Sequence, residues 1–134
     1  MLLKHYYNNS YDIALDLDFT SQLTLISGDS GVGKTLFFGL MQTESSVDKR
    51  IVCIDLKSSS YDIENFIRGF SDKLILIDNA DIILGSKERR YISTDKKNQY
   101  IIFGRNSLGL GINQDKCGRF MLVGNKVILK YPFK

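Results

Sequence analysis

Between Leu23 and Met41 the chain reads LTLISGDSGVGKTLFFGLM: an apolar run, then Gly28, Gly31 and Gly33 beside a lysine, then a second apolar run. Glycine inside a regular element costs roughly 0.5–1 kcal/mol relative to alanine, so such a cluster marks backbone that side chains would obstruct. The run before it has the length of a strand, and KTLFFGLMQTE (34–44) has the length and apolar content of a helix. A glycine loop between a strand and a helix lets successive backbone N–H groups turn inward onto an anion, and the helix adds its positive end. The segment Gly28–Thr35 fits the pattern G-x-x-x-x-G-K-[ST]. Gly28, Asp29, Ser30, Gly31, Val32, Gly33, Lys34 and Thr35 are therefore the candidate phosphate cradle. In it Lys34 reaches the β- and γ-phosphates, the Thr35 hydroxyl binds Mg²⁺, and the Asp29 and Val32 side chains point away.

The rest of the chain alternates strand and helix signals. Apolar runs at 22–27, 50–55, 73–78 and 100–103 read as buried strands. Asp62 is placed to cap a helix through about Phe70, with Ile63, Phe66, Ile67 and Phe70 on one stripe. A further helix is expected in the polar segment Ser86–Gln99. Near the start, Asn8-Asn9-Ser10 separates two runs, the second alternating Ile13, Leu15, Leu17 and Phe19 with polar positions, which predicts a half-buried antiparallel hairpin. Near the end, Gly124-Asn125 between apolar runs predicts a second hairpin. Continuous apolar strands interleaved with helices imply an α/β class and a parallel sheet covered on both faces.

Composition narrows the chemistry. With 134 residues, 43% of them hydrophobic and 25% charged, the chain suits one domain with one core. Cys53 and Cys117 are the only cysteines and His5 the only histidine, which gives neither a disulfide framework nor a zinc spacing. Cys53, inside IVCID, reads as a small buried hydrophobe. A hydrolytic triad would depend on His5, in an exposed-looking segment, so nucleophilic hydrolysis is not expected. No apolar run is long enough for a signal peptide or a membrane span, which leads to the expectation of a soluble, cytoplasmic protein. The net charge of +3 conceals a skew: residues 1–86 carry −5 and residues 87–134 carry +8. That basic second half raises nucleic acid as a partner, beside the commoner reading of solvated surface charge.

With GDSGVGKT and the runs IVCID and LILIDNADII, the chain resembles the P-loop NTPase superfamily, and specifically its AAA/ABC-like division. The resemblance implies a mostly parallel P-loop NTPase-like sheet flanked by helices, here with antiparallel hairpins at both ends of the chain. It implies a single domain over 1–134, with an N-terminal hairpin (1–20), a nucleotide-binding core (21–107) and a C-terminal hairpin (119–134). It also implies ATP and Mg²⁺ as ligands, and an apolar strand ending in an aspartate on the magnesium side. Asp55 and Asp78 both end such strands. In the AAA/ABC-like division another strand intervenes after the P-loop, which matches Asp78; Asp81 then reads as a helix N-cap. Asn106, the last residue of YIIFGRN, is the candidate γ-phosphate sensor, with Ser107 behind it, and a plain loop asparagine is the equal alternative. Lys34, Asn79 and Asn106 form the catalytic set implied, and Thr35 and Asp78 the metal set.

Departures from the family shape the function expected. No [NT]-K-x-D guanine motif is present, which favours adenine. The L-S-G-G-Q signature is absent, and no helical lid follows the fourth strand. Tyr6, Tyr7 and Tyr11 precede the loop at a distance similar to that of an adenine-stacking aromatic, Tyr11 being the best placed, although hairpin packing is their ordinary role. Where the division usually has a glutamate after the strand aspartate, this chain has Asn79, so hydrolysis should be weak. Arg89, Arg90 and Arg105 face phosphate or solvent, and a finger arginine from a protein partner or a second copy is the further expectation. The reading is an ATP-binding P-loop ATPase or nucleotide switch. Its alternatives are a small-molecule kinase with Asp55 as base, and a nucleotide-regulated nucleic-acid-binding module.

Overall fold

Continuous apolar runs and alternating runs occupy different halves of one sheet. The computed structural model describes residues 1–9, 12–27, 33–58, 62–105 and 116–131. Within them lie strands β1 (His5–Asn8), β2 (Ala14–Asp18), β3 (Leu23–Ser27), β4 (Ile51–Ile54), β5 (Leu74–Ile77), β6 (Gln99–Phe103), β7 (Cys117–Val123) and β8 (Lys126–Lys130). The helices are α1 (Lys34–Ser45), α2 (Ile63–Arg68), α3 (Ala80–Ile83) and α4 (Ser86–Thr94). All eight strands form one sheet in the order β1-β2-β8-β7-β3-β6-β5-β4. Pairing is antiparallel for β1–β2 and β7–β8, and parallel for β2–β8, β7–β3, β3–β6, β6–β5 and β5–β4.

This architecture corrects the expectation of a mostly parallel, P-loop NTPase-like α/β sheet flanked by helices. The sheet is mixed, curls into a half-barrel and carries few helices. The physical reason lies in the chain ends. Each hairpin is zipped into the sheet: Leu15 pairs with Val127 across β2–β8, and Ile26 with Gly118 across β3–β7. Residues of β2, β3, β5, β6, β7 and β8 then share one buried cluster with Phe37, Phe38 and Met41 of α1. Six strands laid flat span about 24 Å at about 4.8 Å per gap, twice the diameter of a helix. Only a curled sheet brings them all onto α1. Phe37 sits at the hub, its ring 5.2 to 6.2 Å from those of Tyr6, Phe19, Phe103 and Phe120.

On the other face, a second cluster joins Ile63 and Ile67 of α2, Ala80 of α3 and Ile92 of α4 to Leu25, Ile54, Ile75, Ile77, Tyr100 and Ile102. This cluster covers β3 to β6; among the described residues no helix lies on the corresponding face of β1, β2 and β8. Local signals account for many element ends. Asp62 caps α2, its side chain accepting from the Asn65 N–H, and Gly124 adopts φ 63° in the β7–β8 turn. The expected α2 stripe is corrected at Phe66, which is 48% exposed and meets the edge of the Phe70 ring. No described helix is long and apolar enough to cross a membrane.

Candidate functional site

Strands β3, β6, β5 and β4 run parallel, so their carboxyl ends share one edge of the sheet. Ile26 is level with Phe103, Ile102 with Ile77, and Ile77 with Ile54. Ser27, Gly104, Asp78 and Asp55 therefore follow one another along that edge. Gly104 donates its N–H to the Ile26 carbonyl at 3.2 Å, and Asp78 donates its own to Ile54 at 2.9 Å. Because β6 lies between β3 and β5, Asp78 is about two strand spacings, ~10 Å, from the end of β3. Ligands of open parallel sheets bind outside such carboxyl ends.

Of the proposed phosphate cradle, Gly28, Asp29, Ser30, Gly31 and Val32 lie outside the described residues, as do Asn106, Ser107 and Tyr11. Gly33, Lys34 and Thr35 are described and open α1 at this same edge. Gly33 is the N-cap residue, at φ 88° and ψ −7°. A side chain there would be strained by the backbone, and its Cβ would come within 3.2 Å of Val127 and 3.4 Å of Leu15. The position is fixed as glycine from two directions. Gly33 has no side chain to cap α1, and the first turn contains no acidic residue. The leading N–H groups and the positive end of a 12-residue helix thus point out of the sheet edge. Lys34 is half-buried and Thr35 exposed.

The two candidate aspartates differ in what they already hold. The Asp55 carboxylate accepts from the Lys57 N–H at 3.0 Å and from Gln42 Nε2 at 3.4 Å, one bond on each oxygen. The half-buried Asp78 carboxylate accepts from the Asn79 N–H at 2.9 Å on Oδ1, and its other oxygen takes no hydrogen bond from the described residues. Asn79 is left-handed at φ 52° and is the N-cap position of α3, its side-chain amide making no cap bond. That corrects the expectation for Asp81. Asp81 lies in the first turn and pairs with Arg105, Nε to Oδ2 at 3.6 Å. Arg105 therefore rests on a carboxylate at the β6–β5 edge. The Asp81–Arg105 and Asp55–Gln42 contacts had no signal in residue spacing, since both join separate elements.

Other groups stand apart. Tyr6 packs on Phe37 and Tyr7 is 55% exposed. His5 lies on the opposite flank of the sheet, 2.6 Å from Asp16. Burial pushes the half-buried Cys53 thiol up to about 11, which keeps it protonated and unreactive at neutral pH. No three His, Cys, Asp or Glu side chains cluster as a metal cage among the described residues. A cleft of about 280 Å³ lined by Leu3, Tyr6, Met41, Ile51 and Leu74 opens at the opposite, amino edge. No family model, curated protein or solved structure matches the chain.

Proposed function

We propose that this protein binds Mg·ATP through Gly28–Thr35, with Asp78 on the magnesium side, and acts as a nucleotide switch or slow ATPase similar to the AAA/ABC-like division. The observation that carries the proposal is the G-x-x-x-x-G-K-T run leading into α1 through a left-handed Gly33, beside a strand end that presents Asp78. Oxygen donors suit magnesium, and Thr35 and Asp78 supply them from two elements on one edge. When bound, the ion neutralises charge on the phosphates and orients them. Lys34 holds the β- and γ-phosphates, and the α1 N–H groups bind phosphate oxygens.

Asn79 can orient a water but cannot take its proton, so the general-base contribution of typically 10²–10⁴-fold is missing. The Asp81–Arg105 pair draws a nearby arginine away from the phosphates, which agrees with a finger supplied by a protein partner or a second copy. The kinase alternative needs Asp55 as an unengaged base, and its two hydrogen bonds weigh against it. Absence of a guanine-reading motif favours ATP over GTP. A cytoplasmic location belongs to the same reading, because ATP is supplied there.

The test is thermal unfolding with and without Mg·ATP. A ligand binding only the native state at a hundred times its Kd stabilises by about 2.7 kcal/mol. Lys34→Ala should keep the unliganded melting temperature and abolish the ATP-induced rise. An ATP shift that survives in Lys34→Ala overturns the proposal, as does a shift with GTP larger than with ATP.

A further inference from the structure

The amino edge of the sheet, opposite the glycine loop, gathers cations that the sequence scatters. Three loops meet there: the one from α1 to β4, the one from α2 to β5 and the one from α4 to β6. They are tied together by hydrogen bonds. Asp72 donates its N–H to the Lys97 carbonyl at 2.9 Å, Lys73 donates its own to Asn98 Oδ1 at 3.0 Å, and Lys73 Nζ reaches the Lys49 carbonyl at 3.2 Å. Lys97 Nζ lies 3.5 Å from the Arg68 carbonyl. Lys49, Lys73, Lys96 and Lys97 thus line one rim, and none of them meets a carboxylate within 4.0 Å among the described residues. Cations at helix C-termini complement the helix dipole, and Lys97 serves α2 in that way. That role does not account for Lys49 and Lys96, which are exposed.

A cleft of about 350 Å³ opens on the same rim, lined by Arg68, Tyr91, Thr94, Asp95, Lys96 and Lys97. In it the Arg68 guanidinium stacks over the Tyr91 ring, 4.6 Å from its centroid. Glu64 steadies that guanidinium at 3.3 Å. The one acid in the lining, Asp95, is occupied by Tyr100, Asn98 and the Lys97 N–H. A flat aromatic–guanidinium pair beside a line of lysines matches a polymer that alternates phosphate with planar base. Stacking platforms within a basic track are how single strands are held.

We propose that this amino-edge rim binds single-stranded nucleic acid, with Lys49, Lys73, Lys96 and Lys97 on the phosphates and the Arg68–Tyr91 pair beside a base. The charge split at residue 86 placed the basic surface in the second half alone; the fold instead joins Lys49, Arg68 and Lys73 to Lys96 and Lys97. The proposal does not depend on nucleotide binding at the glycine loop.

Fluorescence anisotropy of a labelled oligothymidylate, about a dozen nucleotides long, tests it over a range of salt concentrations. Each phosphate contact to a single strand contributes about 0.7 to the slope of log K against log salt, so Lys96→Ala with Lys97→Ala should lower that slope by about 1.4. Affinity should fall roughly tenfold or more at low salt. Both lysines are exposed, and the single 3.5 Å contact of Lys97 with the end of α2 limits the pair to a small fall in melting temperature. Tyr91→Leu should weaken binding while keeping the slope. Lys126→Ala with Lys130→Ala, on the hairpin strands, should bind as the wild type does. The proposal is overturned if the wild type does not bind, if the Lys96/Lys97 pair changes nothing, if the hairpin pair costs as much, or if a duplex or an anionic vesicle binds as tightly as the single strand.

Discussion

Strands β5 and β6 are buried at every position, whereas β8 runs exposed, buried, intermediate, buried, exposed, and β2 alternates in the same way. The first pair lies between two core clusters, with α1 on one side and α2 to α4 on the other. The second has the α1 cluster on one face and no described helix on the other. Hydrophobic period thus reports how many faces of a strand are covered. It carries no information on which strands are neighbours.

The largest loss is expected at the residue that serves both halves of the sheet. Phe37 is fully buried, and its ring meets rings from β1, β6 and β7 and from the segment after β2. Phe37→Ala should cost about 3–5 kcal/mol in urea unfolding. Amide exchange should quicken in β8 as well as in β6. Loosening confined to one half would show that the two are separately stable.

A smaller effect is expected where α1 touches the hairpin half. Gly33→Ala forces a side chain into a left-handed backbone and against the Val127 methyls at 3.2 and 3.3 Å, a loss of roughly 1–3 kcal/mol. Adding Val127→Ala should recover part of it in a double-mutant cycle. Strict additivity would assign the whole loss to the backbone.

The smallest effect lies at the sheet's edge. A hydrogen bond to Asp16 raises the pKa of His5 above 6.5, and the same contact lowers that of Asp16 below 3.8. The histidine's share of the link is complete below pH 6.5 and is lost as pH rises through its raised value. The aspartate's share is complete above pH 3.8 and is lost as pH falls through its lowered value. The β1–β2 pairing is therefore firmest between the two ordinary values, although both groups are open to solvent and the gain in stability is slight. An NMR titration should find His5 above 6.5 in the wild type and nearer 6.5 in Asp16→Asn. Identical titrations would remove the contact from consideration.

Much of the local structure was legible in the residues. The helix at Lys34–Ser45, the Asp62 cap and the Gly124-Asn125 turn all follow from short-range rules. The sheet's overall form was not legible, because the pairings of β2 with β8 and β7 with β3 unite opposite ends of the chain and depend on no local pattern. Phe66 misled by lying at helical spacing on a helix too short to bury a full stripe. Asp81 misled because Asn79 took the left-handed cap first, a choice between two polar residues that propensity does not resolve. At the candidate site, the motif and the strand-end aspartates were readable, while the contacts that distinguish Asp55 from Asp78 come from the folded arrangement alone.

The closure of β2 against β8 also has a temporal side. Tyr131 donates its hydroxyl to the Asp18 carbonyl, a bond between residues 113 positions apart. At roughly 5–20 residues per second, a ribosome spends on the order of ten seconds between making one partner and the other. Throughout that interval Leu15 has no Val127 to lie beside. The emerging chain thus carries an unsatisfied apolar strand until β8 arrives. Its safe production depends on the order in which its parts appear as well as on the stability they reach together.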